Sequence, residues 1–142
     1  MRPYPHPWAD LLAREHVVVS WHGDLPPGMR GATNGIDIIL LSTRLRLQPE
    51  RRCTLTHELV HVDWGHTCGQ SPAIESRVRR ETARRLILPE HLEDAARWAS
   101  STAEAAEALW VTEDVLIDRL HCLTTSERDA LISVCRGHWQ QP

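Results

Sequence analysis

The chain contains no lysine and no phenylalanine, and all sixteen of its basic residues are arginine. With its many alanines, that bias reads as GC-rich coding. No run of about 18 apolar residues occurs, which argues against a transmembrane helix. Met1 to Pro7 are polar and proline-rich and lack the apolar core of a signal peptide, so a cytoplasmic protein is expected. The four cysteines, at 53, 68, 122 and 135, form no C-x-x-C pair. A structural zinc knuckle is therefore not expected, and thiols in that compartment stay reduced. There is no excess of positive charge either. The formal net charge of −3 argues against a protein built to hold nucleic acid directly. Internal repeats and low-complexity tracts are absent. The remaining composition, 42% hydrophobic and 25% charged over 142 residues, is that of one globular domain with one core.

The most informative stretch is Thr54-Leu55-Thr56-His57-Glu58-Leu59-Val60-His61, which reads H-E-x-x-H. Two histidines four apart stand one turn apart on one helix face, so both imidazoles reach a single metal ion. Neutral imidazole is a standard zinc ligand. Glu58 lies one residue round from His57, beside the metal, where it can take a proton from a zinc-activated water. The flanks support a helix over about 49–64. Pro49 and Glu50 suit a first turn, and Gly65 suits the residue after the last. On a helical wheel Leu55, Leu59 and Val62 form one apolar group. Cys53, Thr56, Val60 and Trp64 form a second, and the motif residues share the remaining arc. A helix apolar on most of its surface is buried, which places the motif at the bottom of a cleft. Cys53, one turn before His57, allows a Cys-His-His set; a small buried residue is the simpler reading.

Around this helix the pattern implies an α+β domain. Pro7 to Arg14 reads as a short helix with Trp8, Leu11 and Leu12 facing the core. His16 to Trp21 and Ile36 to Leu41 read as strands of a small antiparallel sheet, with a loop at Asp24 to Gly31 and a turn at Asn34-Gly35. The 36–41 strand would offer an edge to which an extended peptide could add. A helix over about 73–88 ends before Pro89. Four shorter helices follow. Ser101 with Glu104 and Thr124 with Glu127 form capping boxes, Thr112 caps the helix between them, and the last runs to Arg136 with Gly137 behind it. One domain over 1–142 is expected, with a helix and sheet in 1–48, the zinc-site helices in 49–88 and a helical part in 89–142.

A catalytic zinc needs a third ligand. Glu75 falls on the stripe of Val78, Thr82 and Leu86, where an unpaired carboxylate is costly unless a metal holds it. Glu81 falls among Arg77, Arg84 and Arg85 and reads as a solvated, ion-paired face. Glu75 is preferred and Glu81 stays open. His66 is a less favoured rival. Asp63 reads equally as a partner orienting a ligand histidine or as a surface acid.

Gly31-Ala32-Thr33 with Gly35 before a strand, Arg51-Arg52-Cys53 running into the His57–His61 motif, and Ala83-Arg84-Arg85-Leu86-Ile87-Leu88-Pro89 together resemble the ImmA/IrrE family. These are compact zinc metallopeptidases of bacteria and mobile elements. The resemblance covers roughly 17–120. It implies a gluzincin-like fold, a third ligand that is a Glu on the next helix, and a helix-turn-helix repressor as protein substrate. The family's usual Glu-Ala-Asn is missing here. Its offset from Pro89 falls near Val78, between Glu75 and Glu81.

The expected function is zinc-dependent peptide hydrolysis, with His57, His61 and Glu75 as ligands and Glu58 as general base. The alternative is a regulator or protein-binding scaffold, antitoxin-like or DNA-associated, that carries zinc without cutting. Residues 102–120 resemble a helix-turn-helix, but the second helix, with Glu113, Asp114 and Asp118, is too acidic for phosphates.

Overall fold

The structure, a computed structural model, describes residues 1–67 and 69–139, the final three by their backbone alone. Cys68 lies outside the described residues. The elements in order are α1 (Pro7–Leu12), β1 (Val18–His22), β2 (Gly31–Thr33), β3 (Ile38–Ser42), α2 (Gln48–Trp64), α3 (Pro72–Leu86), α4 (Pro89–Trp98), α5 (Thr102–Ala108), α6 (Glu113–His121) and α7 (Thr125–Trp139). The fold is α+β, as expected, with the sheet confined to the first third.

The sheet is mixed rather than antiparallel. Its order is β1-β3-β2, with β1 parallel and β2 antiparallel to β3. The chain leaves β1 through Pro26-Pro27-Gly28 and crosses to the far side of β3's position. It then returns as β2 and turns back into β3. That turn begins at Asn34, whose side-chain oxygen accepts the N–H groups of Ile36, Asp37 and Ile38 at 3.0, 3.0 and 3.1 Å. The turn occupies Ile36 and Asp37, so β3 starts two residues later than expected. β3 is the central strand and has no free edge, contrary to the expectation that it could receive a peptide. The unforeseen β2 is an edge strand.

α2 closes at Gly65, which sits at φ 69 and donates its N–H to His61 and Val62 carbonyls. The helix is buried on two sides. Leu55 and Leu59 pack with Ile39, Leu41, Leu45 and Val17, while Trp8 and Leu11 of α1 lean on the same group. Leu12, expected to point inward, is exposed: a six-residue helix has one buried face, and Leu12 lies 100° round from Leu11. On the other side Cys53 joins Ala83, Leu86 and Ile87 of the α3 region and Leu109, Val111 and Leu116. Trp64, at the last turn, is 43% exposed.

The C-terminal helices are tied to α3 by a buried cation. Arg119 of α6 is 2% exposed. Its Nε donates to the Ile87 carbonyl at 2.9 Å, and its guanidinium pairs with Glu127 of α7 at 2.7 Å. Glu127 is thereby drawn away from the capping box expected of it, although its N–H still donates to Thr124 Oγ1 at 3.1 Å. The Thr112 hydroxyl likewise leaves its cap for Cys53 Sγ. α7 continues past Gly137 to Trp139. The N-terminal residues pack on α4, where Tyr4 stacks on the buried His91 ring at 4.1 Å and the Arg2 carbonyl accepts from His91 Nε2 at 2.7 Å. Among the described residues no helix is long and apolar enough to cross a membrane.

Truncating Arg119 leaves the shielded Glu127 carboxylate and the Ile87 carbonyl without their partner. Arg119→Ala should lower stability by about 3–5 kcal/mol in urea unfolding, and the double change Arg119→Met, Glu127→Leu should lose much less. A single-variant loss under about 1 kcal/mol would show that the pair is not a tie between helices.

Candidate metal centre

His57 and His61 stand one turn apart on α2, with ring centroids 5.0 Å apart. Glu75 faces them from the first turn of α3, a helix opened by Ser71, whose Oγ accepts the Ile74 N–H at 3.3 Å. The carboxylate spans both rings. Its Oε2 is 3.1 Å from His57 Nε2, and its Oε1 is 3.0 Å from His61 Nε2. One donor atom from each of the three lies within 4.8 Å of the other two, a group that could hold a metal ion.

The electrostatics suit that use. Burial pulls both imidazoles below their ordinary pKa, while the Glu75 charge pulls the other way. The net effect favours neutral rings, the form that binds metals. Two neutral Nε2 lone pairs facing a carboxylate repel unless each nitrogen carries a proton or a cation sits among them. Two imidazoles and one carboxylate are a donor set that divalent transition metals accept. Glu58 lies beside this group and is only 7% exposed. Burial, and then the Glu75 charge, push its carboxyl up to about 8.

The other candidates fall elsewhere. Glu81 pairs with Arg85 at 3.0 Å, as its arginine-rich face implied, and stays outside the group. Asp63 orients no histidine. Its carboxylate is clamped by Arg14 of the α1 region at 2.6 Å and Arg85 of α3 at 2.7 Å. Cys53 Sγ accepts the Thr112 N–H at 3.5 Å and is not one of the three residues of the group, so the Cys-His-His set does not form. His66 is behind His61, with Nδ1 3.1 Å from His61 Nδ1, the nitrogen on the far side of the ring from Glu75.

Two hollows open beside the centre, and both are lined by His57, Glu58, Met29 and Gly31. The smaller, about 220 Å³, runs along β2 past Ala32 and Thr33 to Gln70 and Glu75. The larger, about 320 Å³, reaches α6 at Asp114, Val115 and Asp118, with Arg79 of α3 on its wall. The acidic helix of the helix-turn-helix-like segment therefore faces the cleft. Gly31 lets β2 lie directly on α2. A Cβ there would come 2.8 Å from Thr54 Cγ2 and 3.3 Å from Glu58 Cγ. β2 was not anticipated as part of the cleft, whereas residues 102–120 were expected as a packed helical hairpin that could help recognise a protein substrate.

No protein-family model, no curated protein and no solved structure matches the chain.

The Asp63 clamp gives a pH signature. Burial alone would raise its carboxyl, but the hydrogen bonds from Arg14 and Arg85 outweigh that and hold it below the ordinary aspartate range. A carboxyl held lower in the fold than in the unfolded chain stabilises the fold above its unfolded pKa. That contribution drains away as pH falls through the folded value. Wild type should exceed Asp63→Asn by about 1 kcal/mol near neutrality, a figure kept small for partial exposure, and the two should converge on acidification. Thermal unfolding across pH checks this; a gap constant with pH would remove the clamp as its cause.

Proposed function

We propose that this chain is a zinc metallopeptidase with a gluzincin-like arrangement, related to the ImmA/IrrE family, and that its substrate is a protein such as a helix-turn-helix repressor. The observation that carries the reading is the convergence of His57, His61 and Glu75 with the shielded Glu58 beside them. The family resemblance of the motif and of the Leu86–Pro89 segment adds the substrate class.

Zinc, when bound, supplies Lewis acidity to a water molecule and to the peptide carbonyl. His57 and His61 hold it as neutral imidazoles, and Glu75 contributes the one negative charge. Glu58 moves the proton. As a carboxylate it takes one from the attacking water, and as an acid it delivers it to the leaving amine while the C–N bond breaks. Its shielded position favours accepting that proton, and a cation held by its neighbours would offset the Glu75 charge that burdens it. A peptide strand can lie along β2, the edge strand over the cleft, by main-chain pairing. Side chains flanking the cut bond would then enter the hollow walled by Val115, Asp118 and Arg79. The α6 orientation supports this role over DNA contact, because its buried side packs on α3 and Asp114 and Asp118 face the cleft.

Elemental analysis of untagged protein should give about one zinc per chain, lost in His57→Ala and kept in Glu58→Gln. Cleavage of a co-expressed repressor should fall by about 100-fold or more in Glu58→Gln. A scaffold has no need of a general base. Zinc binding with a Glu58→Gln variant that performs like wild type would therefore favour the non-proteolytic reading, and a wild type that takes up no zinc after reconstitution would end the metallopeptidase one.

A further inference from the structure

We propose that His66 is a positioning residue that holds His61 from behind, fixing its tautomer and ring plane so that His61 Nε2 offers its lone pair to a divalent transition metal. The proposal rests on the metal-centre reading above and extends it to a residue outside the ligand set.

The local structure aims His66 at His61. Gly65 ends α2 in a left-handed conformation, and the next residue folds back so that the His66 N–H donates to the His61 carbonyl at 2.9 Å. Its ring then meets the His61 ring edge-on, with centroids 5.3 Å apart and the two Nδ1 atoms 3.1 Å apart. Trp64 stands edge-on to the other side of His66 at 5.7 Å. The hairpin turn closes the remaining side. Gly35, at φ 73, lies so close that a Cβ there would fall 1.8 Å from the His66 carbonyl oxygen. The end of α2 and the hairpin turn, two segments far apart in sequence, therefore fix one loop histidine.

The chemistry follows from the distance. Two Nδ1 atoms at 3.1 Å share one proton, because two bare lone pairs would repel. Once His61 Nε2 serves as a ligand, that ring's proton can only be on Nδ1. His66 Nδ1 is then the acceptor, and its own proton is on Nε2. A carboxylate commonly performs this task for a ligand histidine. Here Asp63, the acid two residues further along α2, is taken by Arg14 and Arg85. An imidazole acceptor also adds no negative charge to a centre that already contains Glu58 and Glu75.

The test is zinc affinity by competition with a chromophoric chelator, on full-length protein whose fold is checked by circular dichroism. His66→Ala should bind zinc about 10–100-fold more weakly than wild type. His66→Asn, which puts a carboxamide oxygen near the position of Nδ1, should recover most of the loss. Gly35→Ala, which pushes the loop off its seat, should weaken binding in the same direction. Long-range proton–nitrogen NMR of the zinc-loaded wild type should find the His61 proton on Nδ1. If the alanine variant loses its loop order, His66→Leu, closer in volume, replaces it. Wild-type affinity in His66→Ala or His66→Leu overturns the proposal and leaves the metal centre standing. Asn no better than Ala also overturns it, and X-ray absorption showing one imidazole fewer would make His66 a direct ligand instead. A wild type without zinc brings down the metal-centre reading and this inference together.

Discussion

Everything near the cleft depends on α2 being apolar on two sides. Leu55 and Leu59 demand cover from the sheet, and Cys53 and Val60 demand cover from the helical half. A helix that must be covered twice can only lie between two layers. Between those two sides runs the narrow arc of His57, Glu58 and His61, which lines the hollows although Glu58 and His61 are themselves largely buried. The two layers meet the helix without closing over that arc, and the cleft is the gap between them. Glu75 enters the gap because α3 packs along α2, with Val78, Thr82 and Leu86 buried and one carboxylate left facing two rings.

The charges in this gap are arranged so that each is tolerable only with its neighbours. Glu75 gains two imidazoles at hydrogen-bond distance. The rings are driven neutral by burial, so in the absence of a proton or a cation the three groups present lone pairs to one another. Glu58 feels the same shielding and the same nearby charge, and its carboxyl is displaced in the opposite direction from the histidines. A third acid, Asp63, is a few residues away on the same helix. It is neutralised by two arginines and takes no part. The contrast between Asp63 and Glu75 explains which acid is available to a ligand: one has cations already, and the other has bases.

The elements most legible in the sequence were those set by local chemistry. Pro49 and Gly65 bracket α2 in the chain as they do in the fold, and Pro89 holds Leu88 extended, so that α3 cannot run on into α4. Glu75 stood out because its neighbours on the wheel are apolar, and Glu81 stood apart because its neighbours are arginines. Features set by distant partners were not legible. The parallel pairing of β1 with β3 depends on where the loop between β1 and β2 goes. β2 has three residues, one of them glycine, and carries almost no strand signal of its own. Asp63 reads the same in sequence whether it meets a histidine or an arginine, and its two partners come from positions 14 and 85. The Thr112 hydroxyl and the Glu127 carboxylate were assigned to caps, where local rules put them, and longer-range partners claimed both.

The strand order β1-β3-β2 also implies an order of assembly. β2 and β3 are joined by a four-residue turn that Asn34 organises, so their pairing closes almost no loop. β1 can join only after the intervening chain has swung around that hairpin, which costs more loop-closure entropy. The hairpin that carries the cleft edge therefore forms from nearest neighbours in sequence, and the strand on the opposite edge docks onto a finished template. During synthesis the same asymmetry applies in time. β1 emerges first yet has no partner until β3 follows, so for about twenty residues of elongation the first strand waits unpaired.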